Sequence, residues 1–157
     1  MSDWRLTPET TALVVVDVQE KLLAAMSRRA ETVSGIEKLL GAAKVLNLPA
    51  LVTLQYVKGL GPLVTELSER AAGLPTFEKL AFSCCGSAEF RQALGGLRRR
   101  QIIVCGVETH VCIQQTVLDL VNDYSVSVCA DAVCSRRDTD HGVALERMRG
   151  RGATITT

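Results

Sequence analysis

The feature that most constrains the fold is the run at residues 12–18, Ala-Leu-Val-Val-Val-Asp-Val, in which β-branched residues dominate. A strand with one wet face alternates apolar and polar residues, whereas this run does not alternate before Asp17. It therefore predicts a strand covered on both faces, which is typical of parallel sheets flanked by helices.

Helix and strand patterns alternate along the rest of the chain. Apolar residues recur at helical spacing in 29–46, after Ser87 and in 109–123 and 138–150, the last with Val143, Leu145 and Met148 turned inward. Further strands are predicted at 50–56, 102–107, 125–130 and 153–157, with a short edge strand or extended loop at 76–82. This order specifies an α/β domain with a mostly parallel sheet, whose ligands bind beyond the carboxyl ends of the strands.

Composition excludes several classes of protein. The 157 residues are enough for one domain, and a net charge of +1 gives no reason to expect nucleic acid as a partner. The run Arg98–Arg100 is read as a solvated corner between a helix and a strand. No apolar stretch approaches the ~18 residues of a membrane span, and no signal peptide is expected.

The six cysteines do not resemble a disulfide framework. Cys105 and Cys129 fall inside apolar strands, Cys84-Cys85 are adjacent, and no C-x-x-C spacing occurs. With only His110 and His141 as histidines, a zinc site is not expected either. Cysteine usage of this kind predicts a reducing, cytoplasmic location.

Three residues on separate segments are candidates for chemistry. Cys112 lies in the first turn of the predicted helix 109–123, where backbone N–H groups favour a thiolate and can hold an oxyanion. Asp17 ends the first strand, where a partly buried carboxylate suits a general base. Lys79 beside both would stabilise the two anions and lower the thiol pKa. Taken singly, each also has an ordinary interpretation, as a buried helix cysteine, a turn-capping aspartate and a solvated lysine.

Together these segments resemble a known family, the isochorismatase-like cysteine hydrolases. The matching stretches are Val15-Val16-Asp17-Val18-Gln19, Lys79 with Phe82-Ser83, and Gly106 through Cys112. Two further stretches are similar to the isochorismatase domain-containing proteins in particular. They are Gln55-Tyr56 with Gly59 through Pro62, and Asp131-Ala132 with Ser135-Arg136.

The resemblance implies a three-layer α/β/α domain with a mostly parallel six-stranded sheet. It implies that Cys112 is the nucleophile, Asp17 the general base and Lys79 the cation that orders both. It also implies a cis peptide bond at Val107-Glu108, so that N–H groups near Val111 and Cys112 form an oxyanion hole. The substrate-binding residues expected on this basis are Gln19, Phe82, Val107, Glu108 and Val111.

Two stretches depart from the family pattern. Nicotinamidases of the family bind a divalent metal through an Asp-x-His pair after the second strand, but residues 53–57 read Thr-Leu-Gln-Tyr-Val. No metal and no other cofactor are therefore expected. The chain ends at Thr157, where relatives typically continue into another helix, so the single domain, residues 1–157, is expected to be short of that helix.

The leading functional interpretation is hydrolysis of a small amide through a thioester. Vinyl-ether cleavage of an isochorismate-like compound, a catalytically idle binding or regulatory module, and a thiol-redox role of Cys84, Cys85 or Cys112 are the alternatives. The expected partners are a small-molecule substrate and further copies of the chain, without nucleic acid or membrane. Self-association is predicted because four apolar residues cover more than one face of helix 109–123. They are Val117, Leu118, Leu120 and Val121.

Overall fold

A computed structural model describes residues 5–157 of the chain. Its six strands form one sheet in the order β3-β2-β1-β4-β5-β6, and every neighbouring pair is parallel. The strands are β1 Thr11–Val16, β2 Ala50–Gln55, β3 Thr76–Lys79, β4 Gln101–Val107, β5 Ser125–Cys134 and β6 Thr154–Thr156.

Helices connect the strands on both faces of the sheet. They are α1 Glu20–Leu23, α2 Arg29–Leu46, α3 Val57–Leu60, α4 Thr65–Ser68, α5 Ala88–Gly96, α6 Gln114–Leu120 and α7 Asp138–Gly150. A 3₁₀ turn, Cys84–Gly86, precedes α5, and a π-helical turn, Thr109–Ile113, precedes α6.

Strand β1 runs through the middle of the core, and all six of its residues are buried. Leu13 and Val15 belong to one apolar cluster, which includes Ile36 of α2. Val14 and Val16 point to the opposite face, into a second cluster that contains residues of α5, α6 and α7. Apolar cores on both faces of the sheet confirm the predicted α/β/α layers, and the sheet is parallel throughout rather than mostly so.

The inward face of α7 differs from the prediction. Val143, expected inside, is 61% exposed, and the buried stripe is His141, Ala144 and Met148, with Leu145 half-buried beside it. The spacing of that stripe is i, i+3, i+7, so a polar residue, His141, occupies the place that apolar counting assigned to Val143.

Gly106 lets β4 approach β1 closely just before the π-helical turn. Its φ is +122°, and a Cβ at this position would lie 2.0 Å from the backbone oxygen of Val16. The pairing of β4 with β5 is irregular between Val104 and Gly106. Only glycine fits here, because the backbone angle and the space both exclude a side chain.

All six cysteines lie within the described residues and are free thiols, with Cys105 and Cys129 buried in the strands that were predicted to hold them. Among residues 5–157, no helix is long and apolar enough to span a membrane.

Candidate active site

The site centres on a buried ion pair between residues of two strands that are not neighbours. Asp17 directly follows β1, Lys79 ends β3, and β2 lies between them. Strands in a sheet are about 4.8 Å apart, so the pair must cross roughly 10 Å, which the long lysine side chain can do. Lys79 Nζ lies 2.6 Å from Asp17 Oδ2, and the two side chains are 1% and 0% exposed.

Every hydrogen of the Lys79 ammonium group has an acceptor inside this cluster. Besides Asp17, Nζ donates to Gln55 Oε1 at 2.7 Å, to the Phe82 carbonyl at 2.9 Å and to the Ala81 carbonyl at 3.2 Å. An ammonium group carries three N–H donors, and here it faces four acceptors. All three N–H groups of Lys79 are therefore hydrogen-bonded within this cluster.

The Asp17 carboxylate is held on its other oxygen by β2. Thr53 Oγ1 donates to Asp17 Oδ1 at 2.8 Å, and the Asp17 amide donates to the Thr53 carbonyl at 3.0 Å. Because the single Thr53 hydroxyl hydrogen goes to Asp17, the Cys84 thiol is the donor in its 3.5 Å contact with Thr53 Oγ1. Asp17 itself has a φ of +54°, which turns the chain sharply at the end of β1.

Cys112 brings its sulfur to the same carboxylate. The side chain is buried, and the thiol is a hydrogen-bond partner of Asp17. Burial, then the negative charge of Asp17, raise the pKa of the Cys112 thiol well above its usual range, while Lys79 lowers it by less. The expectation of a thiolate preformed by the helix start and Lys79 was therefore wrong. The thiol is buried, and the lysine charge is already balanced by Asp17.

The backbone that carries Cys112 is fixed by three consecutive side chains. The Val107–Glu108 peptide bond is cis, as the resemblance implied. Each of the next three residues then bonds to the segment that joins β5 to α7 or begins α7. The bonds are Glu108 Oε1 to Arg136 Nε at 3.1 Å, Thr109 Oγ1 to His141 Nδ1 at 2.9 Å, and His110 Nδ1 to Ser135 Oγ at 2.8 Å. The turn is thus anchored from one side along its whole first half.

Most of the residues expected to contact substrate instead form hydrogen bonds or ion pairs within the protein. Gln19 is buried, and its amide binds the backbone at Gln55 and Gly61. The Val111 amide donates to the Glu108 carbonyl at 3.0 Å, so Val111 does not offer a free donor.

The remaining three expected contacts lie around the cluster in different ways. Phe82 is 58% exposed and reaches Lys79 through its carbonyl, whereas Val107 is fully buried at the end of β4. The Glu108 carboxylate is taken by Arg136.

Sequence reasoning missed Thr53 and Gln55, the β2 residues that bind Asp17 and Lys79. Both were interpreted as replacements for metal ligands, and Gln55 also as part of a stretch that resembles the isochorismatase domain-containing proteins, but neither was assigned a role in the site. Residues i and i+2 of a strand share one face of the sheet. Two polar residues at this spacing, at the end of an otherwise apolar strand, were the signal that could have found Thr53 and Gln55.

The site does not fit a divalent cation. The oxygens that face it, Asp17 Oδ2 and Gln55 Oε1, both bind the Lys79 ammonium group, which occupies the cation position. Within residues 5–157, no group of three or more His, Cys, Asp or Glu side chains is arranged to hold a metal ion.

These features define a class of protein, an α/β/α domain with a buried Asp, Lys and Cys at the carboxyl edge of a parallel sheet. A family model described as the isochorismatase domain matches residues 11–157, and the chain belongs to the isochorismatase family. A secreted isochorismatase effector of Phytophthora sojae is 39% identical over 158 residues, covering 98% of this chain and 75% of the relative. Isochorismatase domain-containing protein 2 of Xenopus laevis is 40% identical over 155 residues, covering 98% and 74%.

Solved structures show the same architecture. A ribonuclease from Caenorhabditis elegans has a TM-score of 0.92 and 38% identity, covering 98% of this chain and 79% of that one. YcaC from Pseudomonas aeruginosa has a TM-score of 0.94 and 26% identity, covering 100% and 80%. Membership of this family supports hydrolase activity.

Proposed function

We propose that this protein is a cysteine hydrolase that cleaves the C–N bond of a small amide-type substrate through a thioester at Cys112. The observation that carries the proposal is the buried Lys79–Asp17 ion pair placed against the Cys112 thiol. A carboxylate that accepts a hydrogen bond from a thiol is arranged to take its proton during attack on a carbonyl carbon.

The proposed reaction keeps its proton inside the cluster. As the Cys112 sulfur attacks the carbonyl carbon, the thiol proton moves to Asp17, and the carbonyl oxygen becomes an oxyanion. Asp17 then returns the proton to the leaving amine as the C–N bond breaks, leaving a thioester. Asp17 next takes a proton from water, whose hydroxide attacks the thioester, and that proton returns to the Cys112 sulfur as the acid is released.

Backbone amides of the turn that carries Cys112 are proposed to hold the oxyanion. The Val111 amide is already bound to the Glu108 carbonyl, so the Cys112 amide is the proposed donor. Lys79 contributes through its charge, because its N–H groups are committed to other acceptors.

A solved relative suggests a probe. The structure of YcaC from Pseudomonas aeruginosa contains covalent acrylamide, a small electrophilic amide. For this chain we therefore expect acrylamide to alkylate Cys112 in preference to the other cysteines, because Asp17 can take its proton.

Vinyl-ether hydrolysis is the second candidate, and the pKa of the Cys112 thiol, which burial and the charge of Asp17 raise, favours it. Such a reaction needs a proton donor but no thiol nucleophile. A catalytically idle module of the same fold is the third outcome and would show no turnover.

The test is a substrate panel assayed with wild type, Cys112→Ala and Asp17→Asn. The panel contains aliphatic and aromatic amides, carbamoyl compounds, isochorismate and single-stranded RNA. Cys129→Ala is the matched control, because Cys129 is also a buried cysteine but lies in β5.

We expect amide turnover in wild type and Cys129→Ala and none in the two site variants, with a thioester adduct visible by intact mass spectrometry. Hydrolysis that survives in Cys112→Ala would overturn the thioester proposal. If only isochorismate is turned over, the second candidate is correct.

We also propose that the protein forms a homo-oligomer in its reducing, cytoplasmic setting. A relative from Escherichia coli is described as an octameric hydrolase of unknown specificity. Val143 is a large apolar residue that is 61% exposed on α7. Light scattering at micromolar concentration should give a multiple of 16.9 kDa, and a monomer mass would reject the proposal.

A further inference from the structure

Strand β2 carries two residues that no sequence motif assigned to the site. Thr53 and Gln55 are two positions apart and bind Asp17 and Lys79 respectively. We propose that Gln55 is a positioning residue, which ties the Lys79 ammonium group beside Asp17 and keeps its N–H groups away from the Cys112 sulfur. The catalytic meaning of this role rests on the proposed function.

The hydrogen-bond inventory of Lys79 supports the proposal. The three shortest contacts of Nζ are Asp17 Oδ2 at 2.6 Å, Gln55 Oε1 at 2.7 Å and the Phe82 carbonyl at 2.9 Å. Those three acceptors use all the hydrogens of an ammonium group. A hydrogen bond from Lys79 to the Cys112 sulfur would therefore require one of them to be given up.

Gln55 is itself held by two hydrogen bonds, which orient its amide oxygen towards Lys79. Its Nε2 donates to the Leu80 carbonyl at 2.7 Å, and its backbone amide donates to Gln19 Oε1 at 2.7 Å. The residue is buried, with 8% of its surface exposed, which limits competition from water for the amide. Gln19, Gln55 and Lys79 thus form a chain in which each member fixes the next.

The position of the Lys79 N–H groups affects whether the proton stays on the Cys112 thiol. A lysine N–H group aimed at the sulfur would favour the thiolate, whereas a lysine bound to Asp17 and Gln55 leaves the proton on Cys112 and the carboxylate ready to receive it. The titratable groups that act on the Cys112 thiol are Asp17 after β1, Lys79 at the end of β3 and Cys84 in the 3₁₀ turn before α5.

The test uses two substitutions with opposite expected signs. Gln55→Met keeps the length of the side chain and removes the acceptor at 2.7 Å. The Lys79 N–H group that it held is left with only the 3.2 Å contact to the Ala81 carbonyl and can turn towards the Cys112 sulfur, so the thiol should ionise more easily. Gln55→Glu adds a negative charge beside the cluster, so the thiol should ionise less easily. Gln92→Met and Gln92→Glu are matched controls, because Gln92 is exposed on α5.

The primary readout is the rate at which iodoacetamide alkylates Cys112 as a function of pH, followed by mass spectrometry of the Cys112 peptide. At neutral pH we expect alkylation about tenfold faster in Gln55→Met and about tenfold slower in Gln55→Glu, which corresponds to about one pKa unit in each direction. Both variants should lose kcat on the substrate found in the panel, and the Gln92 variants should change neither quantity.

A role in packing alone predicts a different pattern. Both Gln55 variants would then melt at lower temperature, and the alkylation rate of Cys112 would change in the same direction in both or in neither. Either outcome for the alkylation rate overturns the proposal. If Gln55→Glu does not fold, Gln55→Asn replaces it, because a shorter amide withdraws the oxygen and must shift alkylation in the direction of Gln55→Met. Opposite shifts combined with full hydrolysis by Cys112→Ala would retain Gln55 as a positioning residue and reject the thioester proposal.

Discussion

Removing the Lys79 charge tests how the buried cluster is held together. In Lys79→Met the side chain keeps much of its length, but Asp17 loses the cation 2.6 Å from its carboxylate. Thr53 still donates to Asp17, so the carboxylate keeps a neutral hydrogen bond and lacks a counter-charge.

The expected cost follows from burial rather than from distance. Breaking a buried ion pair by removing one partner typically costs about 3–5 kcal/mol, because an uncompensated charge stays inside the protein. Both side chains are at most 1% exposed, so the upper part of that range applies to Lys79→Met. The double variant Asp17→Asn with Lys79→Met removes both charges and should recover most of the loss.

Arg29→Met is the matched control. Arg29 NH2 lies 2.7 Å from Glu66 Oε1, nearly the same distance, but the two side chains are 38% and 41% exposed. Solvent and salt screen an exposed pair, so its loss should cost about 0–1 kcal/mol. Urea unfolding followed by circular dichroism at pH 7 measures the free energy of unfolding of wild type and the three variants.

The dependence on pH gives a second, independent check. The unpaired carboxylate of Lys79→Met binds a proton more readily in the folded protein than in the unfolded chain, so its destabilisation is full at pH 7 and shrinks as the pH falls. A cost equal to that of Arg29→Met, or a double variant no more stable than Lys79→Met, would refute the reasoning.

Three further predictions concern Cys112, Gly106 and His141. Cys112→Ser should keep the melting temperature of wild type within a few degrees and reduce hydrolysis to background, because serine fills the same space without the sulfur nucleophile. Gly106→Ala should cost about 1–3 kcal/mol for its positive φ and more for the clash with Val16, as measured by urea unfolding, whereas Gly95→Ala in the open face of α5 should cost nothing. Burial chiefly lowers the pKa of His141 below its usual 6.5, so the folded protein resists protonation there and the free energy of unfolding should fall as the pH drops through 6.5. His141→Gln should flatten that part of the pH profile in the same unfolding assay.

The elements with long periodic patterns and clear stop signals were predictable from sequence. Helix α2 begins and ends at the predicted residues, 29 and 46, because its apolar stripe is sustained and Asn47 caps it with a φ of +54°. The fully apolar β1 likewise pointed to burial on both faces, which the two core clusters confirm.

The elements that depend on tertiary contacts were not predictable in the same way. The start of the predicted helix 109–123 is a π-helical turn, which follows a cis peptide bond and contains the hydrogen bond between Thr109 and His141. Local periodicity in the sequence indicates neither feature. The resemblance supplied the cis bond, while nothing in the sequence indicated that His141 of α7 faces inward, because Val143 was expected there.

The protonation state of Cys112 follows from the charge of the cluster as a whole. Asp17 and Lys79 together are neutral, and a thiol leaves the buried site neutral, whereas a thiolate would add a net negative charge that few groups can compensate. A helix start favours a thiolate only where the sulfur is near its first N–H groups and reachable by water. In this site burial and the neighbouring carboxylate outweigh that effect. Charge is therefore proposed to separate only during attack, when the oxyanion takes the negative charge that the sulfur would otherwise carry.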